Sequence, residues 1–72
     1  MMNKDDRDLY IELLEKYQEL LSKSQHQIMV LYYFEDLSIT EIAEELAMTR
    51  SGVHDALKKG RTKLLNIYEK VK

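Results

Sequence analysis

The chain is 72 residues long, with 44% hydrophobic and 33% charged residues, two glycines, no proline and no cysteine. That length suits one small domain and excludes a parallel-sheet nucleotide fold, and without cysteine there is no disulfide and no thiolate metal site. The net charge is −2, yet residues 1–37 hold four Lys/Arg against eight Asp/Glu whereas residues 49–72 hold seven against two, an asymmetry that hints at a nucleic-acid face.

So few turn-forming residues favour long helices, and hydrophobic spacing predicts four of them. The first is expected from about Asp5 to Leu21. Leu9, Leu13, Tyr17 and Leu20 recur at helical spacing, and Tyr10, Leu14 and Leu21 widen the stripe. Asp5, Asp6 and Asp8 suit the positive end of its dipole. The second helix starts near Ser22. Ser22-Lys23-Ser24-Gln25 and Ser24-Gln25-His26-Gln27 both fit a capping box, so its first residue stays open. Ile28, Leu31 and Tyr32 are its expected inner face, and it ends near Asp36.

The third helix follows a third capping box, Ser38-Ile39-Thr40-Glu41, with Ile42, Ala43 and Leu46 on one face. Thr49 is the expected cap of the fourth, which continues to Tyr68 or beyond. Val53, Leu57, Leu64 and Val71 line one side of it, and Gly60 on that side invites a close helix approach. A short helix, a tight turn and a capped second helix make a helix-turn-helix between about Ile39 and Lys58. Ile42, Leu46, Val53 and Leu57 hold its two helices at an angle. Ala43 is small where they cross, and Met48 plugs the turn. Ala47 stands where such turns usually have glycine, and its left-handed backbone costs about 1 kcal/mol. The expected fold class is all-α, a four-helix helix-turn-helix DNA-binding domain over residues 1–72.

Three stretches give this sequence a family resemblance: Leu31-Tyr32-Tyr33-Phe34-Glu35-Asp36-Leu37-Ser38, then Glu41-Ile42-Ala43-Glu44-Glu45, then Thr49-Arg50 with Val53, Asp55 and Lys58-Lys59. Together they resemble the YlxM-like family, small bacterial helix-turn-helix proteins encoded beside signal recognition particle genes, and more distantly region four of sigma factors. The likeness runs from about Leu9 to Lys70. It implies a DNA-binding, regulatory role with a connection to the signal recognition particle pathway. Family members usually continue into a longer charged helical tail.

At 100° per residue, Ser51, Asp55, Lys58 and Thr62 share one stripe of the fourth helix, flanked by His54 and Lys59. Arg50 and Arg61 border it. In a helix-turn-helix this outward side enters the major groove, with its early residues nearest the bases. Arg50 is long enough to reach guanine, and Ser51 and His54 can bond base edges. Lys58, Lys59, Arg61 and Lys63 suit phosphates. A solvated basic face is the plain alternative. Two roles are open to Asp55: accepting from cytosine, or pairing with Lys58 or Lys59 within the helix.

His26 and His54 show no paired ligand spacing, and nothing arranges a nucleophile with a base, so no metal, cofactor or catalysis is expected. Tyr32, Tyr33 and Phe34 can stack on bases, but their helical setting favours core packing or a partner surface for Tyr33. The longest apolar run, Ile28 to Phe34, is far below the roughly 20 residues that span a bilayer. Neither a membrane segment nor a secretory leader is expected, and a cysteine-free chain agrees with a reducing cytoplasm. Duplex DNA is the expected partner, with a protein such as polymerase or a signal recognition particle component as the main rival and structured RNA as a third. A homodimer is also expected. The stripe from Leu9 to Leu21, with Ile67, Tyr68 and Val71, is wider than one internal contact needs.

Overall fold

A computed structural model describes residues 5–71, with side chains from Arg7 onward, and every regular element among them is helical. In chain order these are α1 (Asp5–Tyr17), a 3₁₀ turn (Gln18–Leu20), α2 (Lys23–Met29) with a π-helical continuation (Val30–Phe34), α3 (Ile39–Leu46) and α4 (Arg50–Val71). The expected aspartate cluster does open α1, although the side chains of Asp5 and Asp6 lie outside the described residues. Its α-helical bonding stops four residues short of Leu21, because the Leu21 N–H turns back to the Gln18 carbonyl at 3.2 Å.

Local hydrogen bonds set the helix starts. Of the two overlapping boxes before α2, the one on Ser22 forms: its hydroxyl accepts from the Gln25 N–H at 3.2 Å, and the Gln25 side chain accepts from the Ser22 N–H at 3.4 Å. Ser38 and Glu41 do the same for α3, at 3.1 and 2.8 Å. The Thr49 hydroxyl accepts from the Gly52 N–H at 2.9 Å and caps α4.

Two left-handed residues set the stops. Ala47 sits at φ 55°, ψ 44°, and the bonds from Met48 N–H to Ala43 O (2.8 Å) and from Ala47 N–H to Glu44 O (3.4 Å) close a Schellman motif. This is the turn of the helix-turn-helix. Asp36, at φ 63°, ends the π segment, and the Leu37 N–H reaches back to Leu31 O at 3.0 Å.

The π segment corrects the expected inner face of the second helix. A bond from Glu35 N–H to Val30 O at 3.0 Å spans five residues, which inserts one extra residue into the turn. Inward positions therefore slip by one: Ile28, Met29 and Tyr33 are buried, while Leu31 and Tyr32 are only half-buried. Tyr33 thus belongs to the core and offers no surface to a partner.

Tyr10, Leu13 and Leu14 of α1, Ile28 and Met29 of α2, Ile42 and Ala43 of α3, and Val53, Leu57 and Leu64 of α4 form one buried cluster. Gly60 is buried against Met29, where an added Cβ would lie 2.9 Å from the Met29 sulfur. The close approach expected at Gly60 is therefore real, and any side chain there would overpack the core. Val71 departs from the expected inner stripe and is 57% exposed. With 22 residues, α4 is about 33 Å long, so its last turn outruns the shorter helices that cover it.

Ala47→Gly should stabilise the protein by about 1 kcal/mol, because glycine adopts the left-handed turn without the Cβ clash. An unchanged or lower denaturant midpoint would show that the turn stores no such strain.

Candidate nucleic-acid interface

Inside the helix-turn-helix, α4 has two chemically opposite sides. Val53, Leu57 and Leu64 are fully buried, whereas Arg50, Ser51, His54, Asp55, Lys58, Lys59, Thr62 and Lys63 are exposed. The buried stripe fixes which way the exposed one points, since one rigid helix carries both. Thus six of the seven residues singled out from the sequence share one free surface. Arg61, the seventh, is half-buried.

The first turn of α4 contains no acidic residue and begins with Arg50. A cation there opposes the helix dipole, which favours anions at that end by roughly 0.3–1 kcal/mol. The arrangement costs stability and concentrates positive potential where the helix meets solvent. Asp55 takes the intrahelical role, with its carboxylate 3.1 Å from Lys59 Nζ one turn on. Both side chains are mostly exposed, so the pair is worth only about 0.3–0.5 kcal/mol. It still neutralises one of the four exposed cations named on that face, leaving Arg50, Lys58 and Lys63 outside the ion pairs among the described residues.

Arg61 points toward the core edge instead. Its Nε donates to the Tyr33 hydroxyl at 2.7 Å, and its guanidinium lies 5.9, 5.7 and 5.9 Å from the ring centres of Tyr10, Tyr32 and Tyr33. Arg7 approaches the Tyr32 and Tyr33 rings at 5.4 and 5.3 Å, donates to the Tyr32 carbonyl at 3.2 Å and pairs with Asp36 at 2.7 Å. Tyr32 and Tyr33 meet edge to face at 4.9 Å, a favoured aromatic geometry. Two guanidinium groups and three rings therefore tie α1, the π segment and α4 together. Sequence reasoning missed Arg7. The one available signal was an arginine on the edge of an aromatic-bearing helix, which has many other meanings.

Burial pushes the Tyr33 hydroxyl above the usual tyrosine value, and the hydrogen bond and positive charge of Arg61 pull it back only in part. His26 is engaged with the Gln18 side chain at 2.7 Å. Among the described residues no group of three or more His, Cys, Asp or Glu could hold a metal ion, and no helix is long and apolar enough to cross a membrane. Part of the surplus apolar surface is used within the chain, where Leu9 and Tyr17 of α1 and Tyr68 of α4 pack against the core. Leu20, Phe34 and Val71 remain exposed.

Comparison with known proteins agrees with this frame. Residues 4–72 match the model of the UPF0122 family, described as "Putative helix-turn-helix protein, YlxM / p13 like". The chain is 46% identical over 59 residues to a UPF0122 protein of Desulforamulus reducens and equally so to one of Acetivibrio thermocellus, covering 82% of this chain and 50% of each relative. It is 41% identical over 71 residues to a UPF0122 protein of Bacillus cereus (strain AH187), covering 99% of this chain and 63% of that one. The chain thus spans about half to two thirds of the length of these relatives. No solved structure matches it.

The buried phenol has a pH signature. The folded chain holds the Tyr33 proton more tightly than the unfolded chain, so its contribution is complete below about pH 10 and declines as the pH climbs through the higher folded value. Denaturant midpoints should hold up to about pH 10 and fall as the pH rises beyond it, and fall less in Tyr33→Phe. Equal falls in both proteins would show that Tyr33 is not the titrating group.

Proposed function

The chain belongs to the UPF0122 family of YlxM/p13-like helix-turn-helix proteins, and from that premise we propose that it binds duplex DNA through the outer side of α4 and regulates transcription. The observation that carries this reading is the division of α4: its inner stripe is fully buried in the motif, and its outer stripe is polar, basic at its ends and free. Arg50 supports it further, as a destabilising cation at the entry of the groove-facing helix.

In this reading Arg50, Ser51 and His54 face base edges, and Lys58, Lys59 and Lys63 face phosphates. Asp55 tempers the field and holds Lys59 in one orientation through their 3.1 Å pair. The acidic first half of the chain keeps non-specific affinity low and leaves discrimination to the groove. Two-fold pairing through the exposed Leu20 and Val71 would supply a second reading helix, which sedimentation equilibrium decides. The link with the signal recognition particle pathway rests on the family resemblance.

Mutations should separate into two classes on a site selected from random duplexes. Arg50→Ala and His54→Ala should each cost roughly 1–3 kcal/mol and relax preference at one or two base pairs. Lys58→Ala should weaken selected and random DNA alike and lower the salt slope by about one. Val53→Asp should unfold the motif by burying a charge. Failure of the wild-type chain to bind any duplex at about 50 mM salt and micromolar concentration would overturn the reading. Retention of a protein partner, or tighter binding to structured RNA, would then replace it.

A further inference from the structure

Arg61 differs from every other described cation on α4, because the fold both half-buries it and orients it. Its Nε is committed to the Tyr33 hydroxyl at 2.7 Å, and three tyrosine rings lie within 5.9 Å of its guanidinium carbon. Among the described ion pairs, Arg7 with Asp36, Lys16 with Glu12 and Lys59 with Asp55, none includes Arg61. Among the described residues the cluster is therefore charge-imbalanced: Asp36 pairs with Arg7, and no described carboxylate pairs with Arg61. Among the described hydrogen bonds only its Nε is engaged, which leaves the two terminal nitrogens on the other edge of a guanidinium plane set among the tyrosine rings. Such an edge matches two oxygens of one phosphate, a geometry lysine cannot reproduce.

Its position fits as well. At 100° per residue, Arg50, His54 and Arg61 fall on one edge of α4, and Arg61 lies about 10 Å along the axis from His54. The major groove is about 12 Å wide, so a helix with His54 at the bases carries Arg61 to the bordering strand.

We propose that Arg61 is a preoriented phosphate clamp, with Tyr33 as its positioning residue, that grips one backbone phosphate of the duplex beside the groove. The inference rests on the DNA-binding reading for its ligand and on the Tyr33–Arg61 geometry for its form. Because the guanidinium is already ordered, gripping a phosphate loses little further side-chain freedom. The lysines of the outer face, by contrast, supply charge without fixed direction.

The test uses the full chain, Tyr33→Phe, Arg61→Lys and the double variant, each checked for helicity and thermal unfolding. Both single variants keep the cation count, so the salt slope of duplex binding should stay unchanged while affinity falls about three- to tenfold. The double variant should lose no more than either single one, since the two residues act as a unit. A direct readout is titration of the wild-type chain with inorganic phosphate, followed by the NMR resonance of the Arg61 Nε–H. A shift of that resonance, absent in Tyr33→Phe or, should that variant not fold, outcompeted by duplex, is the expected result. If duplex binds but Arg61→Lys matches the wild type, the clamp is wrong and the DNA reading stands. If no duplex binds but phosphate still moves the Arg61 resonance, the clamp stands as a phosphate site and the DNA reading falls. An unmoved resonance overturns the clamp.

Discussion

The fold depends on how closely α2 can approach α4. At Gly60 there is room for a hydrogen and not for a methyl group, because the Met29 sulfur occupies the space a Cβ would need. That contact lets the shortest helix bury Ile28 and Met29 against the longest one. With 72 residues the chain has no helix to spare for core alone. Consequently α4 buries Val53, Leu57, Gly60 and Leu64 on one side and leaves its polar and charged residues exposed on the other. The packing that stabilises the protein also aims the basic face.

A second constraint follows from the single extra residue in the π segment. Within the π segment Tyr33 enters the core and carries its hydroxyl to Arg61, while Tyr32 stays half-buried. A buried phenol needs a partner, and an arginine near a cluster of rings gains both a hydrogen bond and the attraction of the ring faces. One local irregularity therefore joins three elements that ordinary helical spacing would leave apart. Irregular turns of this kind are often found at functional sites, and this one reaches α4 through the Tyr33–Arg61 contact.

Electrostatics works in the opposite sense to stability on that helix. Arg50 opposes the dipole, the Asp55–Lys59 pair is exposed and weak, and Arg61 has no carboxylate among the described ion pairs. Elsewhere two capping boxes are complete and no buried side-chain polar atom among the described residues is unsatisfied, and the strain lies in the left-handed backbone of Ala47 and Asp36.

The sequence by itself determined the starts of α3 and α4, the turn of the motif and the inner stripe of α4 from Val53 to Leu64, and narrowed the start of α2 to two overlapping boxes. Ser22, Ser38 and Thr49 each bond a backbone group three residues away, and Ala47 stops α3 within its own turn. Interactions that short depend only on neighbouring residues, so spacing reveals them. The outward set of α4 was legible for the same reason, since helical periodicity places Ser51, Asp55 and Lys58 opposite Val53 and Leu57. Only the tertiary structure decided which tyrosine turns inward, that Arg7 seals Asp36, that Val71 is left uncovered and that Arg61 is held by Tyr33. Those pairs lie 28 and 29 residues apart. Their geometry follows from how closely the helices pack and from one π turn, neither of which leaves a periodic mark on the chain.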